Sequence, residues 1–364
     1  MTGTNQILTY SFCEPYIDNL ISFIDENYLK KGGDLTRLGI IFGGKRPALF
    51  VKQKLSKRLG RTFYSPSFFT IDEFMAYIIR KKENFTAVQD LDNSYLVYRL
   101  AQELTPDLLQ GRESFAQFLP WAREILAFMD QLDLEKVSDN VLKNIEANAQ
   151  IGYAVPEDIN RLLQRIIVLR QACHQIFVEK KNYARGFQYY RASQIIDDVK
   201  FDEFDQIIFC NFFYFNRCEE VVAKKLNRQN KAALVFQGDQ RKWPILNRIS
   251  KSFQCSLLEG EEPEQTKFNL HLYSAFDAHS QIGQVREILK TIKNIDNTVV
   301  VLPNADLIVP LLSEITTLVK DFNISMGYPL QRSSLFTLFE LIFKAQLSKK
   351  GHRYYTKDYL KVIR

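Results

Sequence analysis

The sequence predicts an α/β fold: a mainly parallel sheet domain, a large all-helical insertion within it, and the start of a second α/β domain. Three observations carry this expectation. Short apolar runs rich in Ile, Val and Phe, "RLGIIF", "FDQIIFCNFF", "AALVFQGD", "FNLHLYSA" and "NTVVVLP", are each bounded by Gly, Pro, Asn or Asp. Helical periodicity fills several of the gaps between them, the alternation expected of a parallel sheet. From about residue 86 to 195 long amphipathic stretches replace the strand-like ones, as in "SFAQFLPWAREILAFMDQL".

Taken in order, "QILTYS" reads as a first strand, followed by the loop and helix of "FCEPYIDNLISFID". A phosphate-binding loop needs glycines for close backbone approach, a lysine for the phosphates and a Ser or Thr for the metal. This loop has neither glycine nor lysine, and Glu14, next to Cys13, would repel phosphate. Next, "LGIIFGGKRPALFVKQKLSKRLG" joins a strand through Gly43 and Gly44 to a basic helix. Its inward face is Ala48, Val51, Leu55 and Leu59, which leaves Lys45, Arg46, Lys52, Lys57, Arg58 and Arg61 outward. That face is either a solvated charged surface or a seat for DNA phosphates. In "YSPSFFTIDEFMAYIIRKK" a strand passes into a helix that Thr70 can cap. Beyond the insertion, residues 280 to 293 set Ile282, Val285, Ile288, Leu289 and Ile292 on one helix face.

Composition narrows the class. At 364 residues and 46% hydrophobic, the chain is long and apolar enough for two domains, or for one with a large insertion. A net charge of +6 is compatible with an anionic partner without requiring one. Five cysteines without CxxC spacing and four histidines without ligand spacing indicate neither zinc ribbon nor disulfide framework. The first residues lack the pattern of a signal peptide, and no apolar run approaches the ~18 residues of a membrane span, so a cytoplasmic location without a membrane partner is expected. The ending "TKDYLKVIR" stops inside a helical pattern, as in a fragment of something longer.

The order of these elements resembles that of the motor motifs of UvrD-like superfamily 1 helicases. The version it looks most like is the AddB subunit of AddAB-type helicase–nucleases, in chains of the PD-(D/E)XK nuclease family. The resemblance runs through "IIFGGKRPAL", "SFFTIDEF", "FDQIIFCNFFYFNRCEEVVAKKL", "LVFQGDQRKW" and "TVVVLPNADLIVPLL", and is most specific in "MGYPLQRSSLFTLFELI". It implies a P-loop-NTPase-like sheet whose nucleotide positions have degenerated. Where an active motor ends a strand in Asp-Glu for Mg²⁺ and water, this chain has Cys210 and Asn211. Gln240 keeps a shortened sensor motif, and Pro303 stands near the place of a phosphate-binding arginine. The DNA-facing positions are better kept: Lys45, Arg46 and Thr70, then Lys242 and Trp243 where the family places a base-stacking aromatic, and Arg332.

The expected organisation is an inactivated helicase-like domain at 1–85 and 196–265, a helical insertion at 86–195, and a second helicase-like α/β domain, incomplete, at 266–364. The expected role is binding of single-stranded DNA or a duplex end without turnover, in double-strand-break repair and recombination. As the resemblance implies, an AddA-like helicase–nuclease subunit is the partner and a nuclease domain would lie toward the C-terminus of a longer protein. Neither ATPase nor nuclease activity, and no cofactor or metal, is expected of these residues. Two alternatives stay open: a protein-interaction scaffold without DNA contact, and an ATPase with an atypical nucleotide site.

Overall fold

A computed structural model gives the fold and describes residues 6–143, 157–238, 243–259 and 268–363. The chain divides into two compact units, Met1–Thr266 and Lys267–Arg364. The first unit is built on a six-stranded sheet of β1 (Gln6–Tyr10), β2 (Leu38–Phe42), β3 (Ser67–Thr70), β6 (Gln206–Cys210), β7 (Ala232–Gln237) and β8 (Ser256–Glu259). Their spatial order is β3-β2-β6-β7-β1-β8, and every pairing is parallel. An α/β fold with a parallel sheet is thus what the sequence forms here. The order itself comes from long-range pairing: β1 lies beside β7, with Ile7 opposite Leu234.

Strand residues alternate between two cores, as a period of two requires. On one face Leu38, Ile40, Phe42, Ile208, Cys210 and Val235 pack under α1 (Tyr16–Asn27) and α2 (Arg46–Leu59), whose Val51 and Leu55 are fully buried. On the other, Ile7, Ile41, Ile207, Phe209, Leu234 and Phe236 share one continuous core with the helical insertion. With both faces covered, the strands are free to be apolar at almost every position.

The insertion runs through α4 (Asp90–Leu104), α5 (Phe115–Leu134), α6 (Asp139–Lys143), α7 (Glu157–Lys180) and α8 (Arg185–Ile195). A short parallel pair, β4 (Thr86–Ala87) with β5 (Asn182–Tyr183), ties its two ends together. Where α8 crosses α5 the helices touch at Gly186, and a Cβ there would lie 2.7 Å from the Asp130 Cα. The chain returns through α9 (Arg217–Arg228), whose N-terminus is closed by a reciprocal Asn216–Glu219 capping box, and through α10 (Ile245–Phe253).

The second unit holds α11 (Ala278–Thr291), α12 (Ile308–Ile315), α13 (Ser334–Leu347) and α14 (Thr356–Ile363). Ile282, Leu289, Leu311 and Ile315 form a small core between α11 and α12. The strands expected at "FNLHLYSA" and "NTVVVLP" do not form: among the described residues this unit has no strand, and Phe268, Leu270, Leu272, Val299 and Val301 are exposed. A strand-like sequence needs a hydrogen-bonding neighbour, and neither segment has one among the described residues. No helix among the described residues is long and apolar enough to cross a membrane.

Candidate functional site

Parallel α/β sheets bind ligands outside the carboxyl ends of their strands, where neighbouring connections leave toward opposite faces. Here one such place lies between β1 and β7, and others lie between β2 and β6 and between β3 and β2. The chain after β1 enters α1, which packs in one core, and the chain after β7 enters α10, whose Leu246 and Ile249 pack in the other.

Among the described residues, aromatic side chains pack into this crevice. Phe12 stacks on Phe213 with ring centroids 6.0 Å apart, and Trp243 meets both edge-on, at 6.2 and 5.8 Å. Gly238, at φ 124°, passes directly beneath, and a Cβ there would lie 3.3 Å from the Phe12 ring. Only glycine accepts that backbone conformation freely.

The loop after β1 is closed on itself. Ser11 N–H donates to Glu14 Oε2 at 2.8 Å, and Glu14 N–H returns to the Ser11 carbonyl at 3.1 Å. From β7, Gln237 Nε2 donates to the carbonyls of Ser11 and Glu14, both at 3.2 Å. The Ser11 backbone amide is therefore held by a carboxylate of the same loop. Cys13 is exposed beside it.

At the end of β6, Cys210 turns away from the crevice. Its thiol is buried beneath α1, and burial pushes its pKa well above the ordinary thiol range. Asn211 adopts a left-handed conformation at φ 58°, and its Oδ1 is buried without a hydrogen-bond partner among the described residues. Neither side chain is a carboxylate placed for Mg²⁺ or water. Gln240 and Lys242 lie outside the described residues.

The DNA-facing candidates separate into groups. Lys45 and Thr70, at the carboxyl ends of β2 and β3, converge on Glu73: Lys45 Nζ lies 3.0 Å from its Oε1, and Thr70 N–H donates to its Oε2 at 2.9 Å. Thr70 Oγ1 in turn accepts from Glu73 N–H at 3.2 Å, so this threonine is committed to capping α3 (Ile71–Arg80). Along α2, Lys54 pairs with Asp18 and Arg58 with Asp25, while Arg46, Lys57 and Arg61 are exposed without an ion pair among the described residues. Leu49 and Phe50 are exposed on the same helix.

Trp243 is 41% exposed at the rim of the aromatic cluster. In the second unit Arg332 pairs with Asp306 at 2.9 Å, and Pro303 is exposed just before Asn304, whose Oδ1 accepts from Asp306 N–H at 2.9 Å.

Sequence reasoning passed over Phe12, Phe213 and Glu73. For Glu73 the signal was present, because Thr-x-x-Glu ahead of an apolar helix is a capping-box pattern. The pairing of Phe12 with Phe213 had no local signal, as it joins the ends of two strands about two hundred residues apart. Among the described residues no group of three or more His, Cys, Asp or Glu is placed to hold a metal ion. In comparisons with known proteins, this chain matches no protein-family model and no curated protein.

Proposed function

We propose that this chain is a non-hydrolysing, helicase-like DNA-binding and scaffolding module, acting with a helicase–nuclease partner in double-strand-break repair. The observation that carries the reading lies after β1, where the resemblance would put a nucleotide: Phe12, Phe213 and Trp243 pack together beside a self-bonded loop. Without a metal-binding carboxylate or a general base at Cys210 and Asn211, the sheet acts as a rigid support and not as a motor. The DNA contact is assigned to α2 and the turn before it, with the exposed Trp243 as a further stacking ring. Arg46, Lys57 and Arg61 offer cations to phosphates, exposed Phe50 offers a ring to an unpaired base, and Lys45 exchanges its Glu73 partner for a phosphate.

The test is fluorescence anisotropy of labelled single-stranded and tailed-duplex DNA at several salt concentrations, with and without Mg-ATP. Salt-sensitive binding that ignores ATP and is lost on Arg46→Glu with Lys57→Glu supports the reading. Binding unaffected by these reversals removes the assignment to α2, and saturable ATP binding sinks the inactive-motor reading.

A second reading, a protein-interaction scaffold, is favoured by the exposed apolar side chains Phe268, Leu270, Leu272, Val299 and Val301 of the second unit, of the kind that partners cover. No DNA binding at low salt, together with partner binding that Leu270→Asp and Val301→Asp abolish, selects it.

A further inference from the structure

The helical insertion contains a cavity of about 410 Å³ whose wall includes Lys136, Asp139, Lys143, Arg170, His174 and Tyr190. That volume is within the range of small-molecule sites. Its floor is a buried ionic network. Arg170 and Asp133 are each 4% exposed, and Arg170 Nη2 lies 2.7 Å from Asp133 Oδ1. Arg170 Nη1 donates to Asp139 Oδ1 at 2.9 Å and to the Val137 carbonyl at 2.8 Å. Gln171 Nε2 donates to Asp139 Oδ2 at 2.7 Å, and His174 Nε2 lies 2.9 Å from Asp133 Oδ2. Both carboxylates are thus occupied within the wall. Lys136 and Lys143 make no ion pair among the described residues, so the cavity carries a surplus of positive charge.

Lys136 takes a left-handed backbone conformation, as do Lys181, Asn211, Asn230 and Gln254. It follows α5 with φ 51°, its N–H donating to the Asp133 carbonyl at 3.1 Å, while Val137 N–H donates to the Leu132 carbonyl at 2.9 Å. Such a left-handed helix end is ordinarily glycine, because a side chain there costs conformational energy. This turn places Lys136 on the cavity wall. Tyr190 adds a flat ring, with the Arg170 guanidinium 5.9 Å from its centroid and the His174 ring 5.4 Å away.

We propose that this cavity binds a phosphate monoester, with the dianionic phosphoryl group between Lys136 and Lys143 and the organic part toward Tyr190. The site is separate from the crevice of the sheet and does not rest on the helicase-like reading. The phosphoryl group has two sources, a free nucleoside monophosphate or the phosphorylated end of a nucleic-acid strand.

Isothermal titration of the full chain with inorganic phosphate, a nucleoside 5′-monophosphate and the unphosphorylated nucleoside tests it. The expected result is saturable binding of the first two and none of the third. Lys143→Ala, on an exposed side chain, and Lys136→Gly each weaken it about tenfold or more, the loss that follows removal of a charge-assisted hydrogen bond. Lys136→Gly also raises Tm, since it relieves the left-handed strain while removing the cation. A 5′-phosphorylated oligonucleotide that binds more tightly than the monophosphate, with the same sensitivity to both substitutions, assigns the strand end as the source; the reverse order assigns the free ester. Absence of saturable binding by phosphate and monophosphate, or binding that survives both substitutions, overturns the proposal.

Discussion

Lys45 and Thr70 meet on one carboxylate: Glu73 receives the Lys45 ammonium on one oxygen, at 3.0 Å, and the Thr70 amide on the other, at 2.9 Å. Two positions read from the sequence as facing DNA are thereby linked through an acid at the head of α3. The ion pair is exposed, 80% at Lys45 and 47% at Glu73, and such pairs contribute little to stability. The cap is a different matter, because it satisfies backbone groups that nothing else satisfies.

Glu73 is therefore expected to restrain DNA binding through Lys45. Glu73→Gln keeps an amide oxygen for the Thr70 N–H and releases the lysine, so affinity for single-stranded DNA rises and the salt dependence steepens by roughly one counterion. Lys45→Glu does the opposite and changes folding stability by less than about 1 kcal/mol. Anisotropy titrations against salt read both effects, and identical salt slopes in the two variants would count against Lys45 as a phosphate contact.

Thr70→Ala is expected to cost about 1 kcal/mol of folding stability, the usual loss of an N-cap side chain. Urea unfolding measures it. A DNA affinity that remains at the wild-type value would confirm that this side chain is structural.

Trp243 reports on the crevice. The chain has two tryptophans, so Trp121→Phe leaves Trp243 as the single indole. Single-stranded DNA is expected to quench its fluorescence, and Trp243→Ala to weaken binding by ~1–3 kcal/mol, the worth of a base stacked on an aromatic ring. Mg-ATP is expected to leave the signal unchanged, because Phe12 and Phe213 already occupy the indole's inner contacts.

Two buried acids set a pH dependence. Burial pushes Glu219 up to about 7 against the opposing Asn216 N–H and Arg185, and it pushes Asp130 up to about 6 against the Gly186 N–H. At these two groups the folded chain holds protons that the unfolded chain has released, so their contribution to stability falls as pH rises from about 4 to about 7. Glu219→Gln keeps the capping box and removes one ionisation. The variant should be more stable than wild type at pH 8, by at most roughly 3 kcal/mol, and nearly equal to it at pH 4. Urea midpoints across pH test the sign, and a Glu219→Gln variant whose advantage over wild type does not grow from pH 5 to pH 8 would refute it.

Gly186→Ala places a methyl group where the α5 backbone already lies. A loss of about 1–3 kcal/mol is expected from this overpacking, read as a lower thermal midpoint.

The sequence by itself determined the α/β class, five of the six main strands, the helical insertion and the inward face of α2, because each rests on local periodicity and turn chemistry. It also determined that the loop after β1 lacks phosphate-binding residues, since those residue types are simply not there. The tertiary structure alone decided the strand order and the place of β8, whose "SLLE" is too short to announce itself. It likewise decided the meeting of Phe12 with Phe213 and Trp243, the turning of Cys210 into the core beneath α1, and the cavity around Lys136. In the second unit it left apolar segments outside any strand, because a β-pattern becomes a strand only beside a neighbour that takes its hydrogen bonds. These features depend on contacts between distant parts of the chain, where the cost of bringing segments together is repaid by packing that no local pattern records.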